Sequence, residues 1–182
     1  MNDESCAAIA DICAAFADQR LPRWRELPDL ELYMDQVLSI VSRALGAYPG
    51  FNGKGLTAAM VNNYVKQGVI PSPVKKKYSR SHLAHLIIVC VLKSSLPIPV
   101  IQKLLASELE TAPEQVIYDR FCELFEQADT AAASAANKLL DREELQAAPL
   151  SAVYLAALRA QAEQALALKM FASLFPETDK KD

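Results

Sequence analysis

With 182 residues, 52% of them hydrophobic, 23% charged and only 5 glycines, the chain suffices for one ordinary domain, or a small domain with an appendage, and is too apolar to stay disordered. No charge-free run approaches the roughly 20 residues of a spanning helix, and the opening MNDESCAAIADIC carries acids where a secretory signal carries lysine or arginine; a cytoplasmic protein with no membrane partner is expected. The net charge of −3 conceals a segregation: Gln36 to Ser107 holds nine basic residues and no acid, residues 1–35 hold three basic against eight acidic, and residues 108–182 seven against fourteen.

The alanine-rich stretch from Asp3 to about Asp18 reads as a short helix. Pro22 and Pro28 break the chain around Trp24, and Leu27-Pro28-Asp29 opens a second helix with Asp29 as its N-cap. Leu30, Tyr33, Met34, Val37, Leu38, Val41, Ala44 and Leu45 then recur at helical spacing until Gly46. A glycine- and proline-rich loop follows through Gly55. Thr57 caps a short helix that ends at Gly68. At 100° per residue Met60, Val61, Tyr64 and Val65 fall on one side, with Ala58, Ala59, Asn62, Asn63 and Lys66 on the other. Val69 to Val74, a turn, and Lys75-Lys76-Lys77-Tyr78 predict a small two-stranded wing. Ser79 caps the next helix, with the apolar run Leu83 to Leu92, and Pro97 and Pro99 open another to about Leu109. The acidic remainder predicts a helix from about Pro113 to Ala128, an alanine-rich passage, and a long helix from about Pro149 to Leu174. The last is apolar around so much of its circumference that it needs cover on several sides.

Helix, turn, helix with a polar outer face and basic wing together describe a winged helix-turn-helix. A short helix fits the major groove of double-stranded DNA, where asparagine pairs with base edges. Lysines on a wing hold phosphate as point charges and set register, not sequence. An acid-free block of this length attracts a polyanion. The candidate DNA-binding residues are Thr57, Ala58, Asn62, Asn63, Lys66, Lys75, Lys76, Lys77, Tyr78 and Arg80. Alternation along the wing turns at least one of its lysines away from a common target.

The run from Leu56 to Leu105 resembles the DNA-binding unit of the MerR-type regulators. Leu56-Thr57 stand at that family's Val-Ser helix start, Tyr64 with Gly68, Val69, Ile70 and Pro73 follow its tyrosine–glycine–proline stretch, and Lys76-Lys77-Tyr78 fall on its basic and tyrosine wing positions. The chain departs from that pattern in having Asn62-Asn63-Tyr64 for Arg-Tyr-Tyr and a long loop between Gly46 and Leu56, so the family's docking pose does not carry over. LPRWRELPDLELYMDQVL and MVNNYVKQGVIPSPVKKKYSR resemble more closely a bacterial family known as domain of unknown function 1836, membership of which implies no activity.

Cys6, Cys13, Cys90 and Cys122 show no metal or redox spacing and read as reduced, mostly buried thiols. His82 and His85, at i and i+3, lack a third ligand and a carboxylate within the basic block, so they read as helix-surface or phosphate-facing residues. No metal, cofactor or catalytic set is expected. The fold class expected is all-α with a small two-stranded β wing, a MerR-like winged helix-turn-helix plus a C-terminal helical region. The divisions expected are 1–28 (helix and connector), 29–109 (DNA-binding) and 110–182 (acidic, dimerising or sensing). The leading functional expectation is a DNA-binding regulator that dimerises through its C-terminal helices. The alternatives are a protein-interaction module docking an acidic partner on the wing, or a sensor with a ligand pocket around Trp24 or Tyr154.

Overall fold

The computed structural model describes residues 3–46, 55–140 and 149–176; the loop expected at 47–54 lies outside them. The described chain is mostly helical: α1 (Asp3–Ala17), a 3-10 turn (Trp24–Glu26), α2 (Met34–Ala44), α3 (Ala58–Lys66), α4 (Arg80–Leu92), α5 (Ile98–Leu109), α6 (Glu114–Leu140) and α7 (Pro149–Leu174). No helix among these residues is long and apolar enough to cross a membrane.

The chain divides into two compact units, one of residues 19–128 and one combining 1–18 with 129–182. The boundaries expected at 28 and 109 both fall inside the first unit. α4 is its axis. Every residue from His82 to Val91 is buried, so this helix is covered all round: α2 and α5 pack against it, and Val61 and Tyr64 of α3 belong to the same core. Leu21 and Leu27 of the connector and Tyr118, Cys122 and Phe125 of α6 complete the same core. The connector is fastened to α6 by polar contacts. Arg23 donates to Glu126 at 2.6 Å and to the Asp119 carbonyl at 3.2 Å, and the Trp24 backbone N–H donates to Asp119 Oδ1 at 2.7 Å.

The second helix begins later than the sequence predicts. Asp29 caps nothing; residues 29–33 are non-helical, and α2 starts after Tyr33, whose backbone N–H donates to the Gln36 side chain. The reason is Leu32, which is buried and exchanges two backbone hydrogen bonds, each 2.8 Å, with Tyr78. That pairing holds the segment out of the helix and leaves Leu30 and Tyr33 exposed. The alanine-rich passage after Ala128 is not a separate element; α6 runs through it to Leu140, as expected of alanine's high helix propensity.

In the second unit, Cys13 of α1 and Asp129 and Ala133 of α6 are buried. The cover expected for α7 is not supplied. Apart from Leu168 and Phe171, its described side chains are exposed.

Candidate functional site

α3 forms as its residues dictate. Thr57 Oγ1 accepts the Met60 N–H at 3.2 Å and caps the helix. Gly68, at φ +69, ends it in the left-handed conformation that glycine takes without cost. Gln102 of α5 reaches across and donates to the carbonyls of Gln67 and Gly68, at 3.1 and 3.4 Å, satisfying acceptors the helix end leaves open. Val61 and Tyr64 are buried, whereas Thr57, Asn62, Asn63, Lys66 and Gln67 are exposed and Ala58 is half-buried. The division into packed and polar faces predicted from spacing is the one observed.

The wing segment contains no continuous strand. Val74 and Lys77 pair in a single antiparallel bridge, with hydrogen bonds of 3.2 and 2.9 Å, and Tyr78 pairs with Leu32 rather than with Val69 or Ile70, which are buried. Two prolines, Pro71 and Pro73, remove the N–H groups that a longer ladder would use. Between the bridged residues lie Lys75 and Lys76 alone, at φ 51 and 64. A two-residue hairpin loop of the I′ type demands positive φ at both positions, which is why Asn-Gly is its preferred occupant. Here two lysines occupy it, at a backbone cost of about 1–2 kcal/mol each. Both are exposed, and neither forms an ion pair among the described residues.

The other expected contact residues serve different ends. Lys77 is bound to Glu31 at 2.5 Å, and its ammonium holds its proton more firmly than usual because of that hydrogen bond and charge. Tyr78 is 4% exposed, and its ring meets that of His82 edge-on at 5.3 Å; it is a core residue and presents no face to a ligand. Arg80 donates to the Leu27 carbonyl at 3.0 Å, pairs with Asp29 at 3.5 Å and lies 5.7 Å from the Trp24 ring centroid. Its guanidinium locks the connector onto α4, and three of the expected basic contact residues form no ion pair among the described residues. These are Lys66, Lys75 and Lys76.

The histidines are not surface residues, contrary to expectation. His82 is 6% and His85 4% exposed. His82 Nδ1 accepts the Ser79 backbone N–H at 3.0 Å and sits 2.8 Å from Ser79 Oγ, closing a reciprocal cap at the start of α4. Burial depresses its proton affinity, and His85 adds to this, while the carbonyls of Ser72 and Pro71 and the Glu114 charge pull the other way. His85 Nε2 donates to Glu114 Oε1 at 3.1 Å, and Ser81 Oγ donates to the same oxygen at 2.5 Å. Glu114 is held below the usual carboxylate range chiefly by the His85 hydrogen bond, against a desolvation that raises it. Glu114, the first residue of α6, lies outside the acid-free block. Its one signal is the acid directly after Pro113 at a helix start. The block's segregation is thus partly undone in space: Asp29, Glu31 and Glu114 come in from both flanks onto Arg80, Lys77 and His85.

No group of three metal-ligating side chains occurs among the described residues. Cys13, Cys90 and Cys122 are free and buried, and burial pushes the thiols of Cys90 and Cys122 up to about 11, so both are protonated and unreactive at neutral pH. A cleft of about 380 Å³ opens between the connector and α2, lined by residues that include Arg20, Leu27, Ile40 and Arg43; neither Trp24 nor Tyr154 lines it. Trp24 instead packs edge-on against Tyr118 at 6.2 Å beneath Arg80, and Tyr154 is 70% exposed.

The family model described as Domain of unknown function (DUF1836) matches residues 22–123, from the connector into the first turns of α6. Neither the curated proteins nor the solved structures gave a match. The matched span covers more than half of the chain and nearly all of the first compact unit, and the chain belongs to this family.

Proposed function

We propose that this chain is a non-catalytic, DNA-binding transcriptional regulator of the MerR-like winged helix-turn-helix kind, with the Val74–Lys77 turn in the place of the wing. Lys75, Lys76 and Lys66 hold phosphates, and the exposed face of α3, with Thr57, Asn62 and Asn63, enters the groove. The observation that carries this reading is the pair of left-handed lysines. A turn that would be more stable with asparagine and glycine carries two unpaired ammonium groups at its tip instead, and strain of this sort is retained where a function needs it. Asn62 and Asn63 support the reading by standing exposed on the short helix that precedes the turn.

The test is retention of the full chain on random duplex DNA and on heparin across a salt series. Phosphate binding through several lysines gives a log–log slope of about −0.9 for each contact. A second reading has one observation in its favour. The turn already holds a carboxylate, Glu31 on Lys77, so an acidic protein surface would also suit it. That reading predicts no DNA retention and pull-down of an acidic partner that is lost on the same lysine substitutions.

A further inference from the structure

The connector is fastened on one side and open on the other. Arg23 and the Trp24 N–H bind α6, and Arg80 at the start of α4 donates to the Leu27 carbonyl. Pro22 and Pro28 fix φ near both ends of the segment, so its shape is set before any ligand arrives. The open side faces α2 across the cleft of about 380 Å³, a volume within the roughly 300–1,000 Å³ of small-molecule sites. Pro22, Leu27 and Pro28 make one apolar wall. Ile40 and Ala44, four apart on α2 and so on one face of it, make the other, while Val37 and Val41 turn into the core.

Three charged side chains, Arg20, Glu26 and Arg43, also line the cleft, and they do not cancel. Both oxygens of Glu26 are engaged: Oε1 accepts from Arg20 at 2.6 Å, and Oε2 accepts the Arg23 backbone N–H at 2.7 Å. That backbone hydrogen bond, and after it the one from Arg20, holds the Glu26 carboxyl below the usual carboxylate range, so it is ionised at neutral pH. Arg43 lies three residues after Ile40 on the same face of α2, is exposed, and forms no ion pair among the described residues. Its planar fork is free to take a carboxylate through two parallel N–H···O bonds. We infer that the cleft binds a small monocarboxylate with an apolar body, the carboxylate on Arg43 and the hydrocarbon between the connector and Ile40. A mineral anion leaves the apolar walls unused, an uncharged hydrocarbon leaves the guanidinium without a partner, and a dianion is repelled by Glu26. The cleft lies within the unit of residues 19–128 and shares no lining residue with the lysine turn or the exposed face of α3, so the site is independent of what those bind.

Titration of the full chain with straight-chain carboxylates below their micellar concentrations, followed by NMR of the leucine and isoleucine methyls, tests it. From butanoate through hexanoate to octanoate, affinity is expected to climb roughly tenfold per step, since each buried methylene is worth about fourfold. Octan-1-ol is expected to bind roughly tenfold or more weakly than octanoate, for want of the charged hydrogen bonds. The methyls of Leu27 and Ile40 are expected to shift before those of α7, whose exposed leucines offer hydrocarbon an unselective surface. Arg43→Gln, at an exposed position, is expected to keep the circular dichroism spectrum and thermal midpoint, to lose roughly tenfold or more in octanoate affinity, and to bind octan-1-ol as the wild type does. Butanoate or octan-1-ol binding as tightly as octanoate, shifts confined to α7, or octanoate affinity unchanged in Arg43→Gln overturns the site. Heparin retention reads the lysine turn separately, so the two proposals fail independently.

Discussion

His85 Nε2 lies 3.1 Å from Glu114 Oε1, joining the buried middle of α4 to the first residue of α6. The same carboxylate oxygen accepts from Ser81, so one acid from outside the basic block satisfies two donors of its central helix. Glu114→Ala leaves the buried imidazole donor without a partner, and urea unfolding is expected to show a loss of about 2–3 kcal/mol. Glu114→Gln keeps an acceptor and is expected to cost less. The held-down carboxyl acts in one direction: its contribution is present above the ordinary carboxylate pKa and is lost as pH falls through the depressed folded value.

His82 adds a second acid-sensitive element at a higher pH. Its Nδ1 accepts the Ser79 N–H and therefore carries no proton; protonating it removes the cap acceptor and charges a buried ring. Its folded pKa is lowered by burial, so the unfolded chain binds the proton first. Stability is expected to be full above about pH 6.5 and to decline as pH falls below it, until the folded state also takes up the proton. His82→Gln retains the reciprocal cap and has no titrating group at that position, and thermal unfolding of that variant is expected to lose this decline and keep only the opposite slope that Asp129 contributes. A wild-type curve with the same slope as the variant's contradicts this account.

How far the sequence could be read depended on whether a feature is local. α3, its Thr57 cap and its Gly68 stop depend on neighbours a few residues away, and the spacing of Val61 and Tyr64 against Asn62 and Asn63 gave the two faces correctly. The all-helical character and the span of α7 were legible for the same reason. What failed was long-range. Leu32 belongs by period to the second helix, but its pairing with Tyr78 holds it extended. Tyr78 reads as part of a basic strand, yet its place beside Leu32 and His82 buries it. Two histidines next to an acid-free lysine block read as phosphate-facing until Glu114 arrives from the far end of α5. Arg23, unremarkable in the sequence, and Arg80, expected among the phosphate contacts, prove to fasten the connector to α6 and α4.

Asp129 is buried on α6, and its Oδ2 has no hydrogen-bond partner among the described residues. Burial pushes its carboxyl up to about 6. A raised acid works against stability as pH rises: the folded state holds the proton between the unfolded value, about 3.9, and the folded one, and must lose it above. Asp129→Asn is expected to stabilise the chain at pH 7 by about 1–2 kcal/mol and to have little effect near pH 4. Equal effects at the two pH values would show that the aspartate is not strained by its burial.

Asn62→Ala and Asn63→Ala test sequence reading apart from phosphate holding. Both side chains are exposed, so each change is expected to alter folding stability by no more than about 0.5 kcal/mol. Each is expected to lower affinity for a selected target by about 1–3 kcal/mol while leaving random duplex binding nearly unchanged. Binding selections on randomised duplexes supply the target, and equal losses on target and random DNA would make both residues backbone contacts.

The turn itself supplies the most direct measurement. Lys75→Asn with Lys76→Gly gives the two-residue loop its preferred occupants and removes the two unpaired ammonium groups from its tip. Unfolding in urea, read beside the salt dependence of binding to random duplex DNA, therefore moves two quantities in opposite directions. The double variant is expected to be more stable by about 1–2 kcal/mol, the part of the left-handed cost at two positions that asparagine does not retain and the chain entropy of glycine does not offset, and to show a salt slope shallower by roughly 1.8 per protomer as two phosphate contacts are lost. A variant that gains stability and keeps the wild-type slope would contradict the assignment of the turn to DNA.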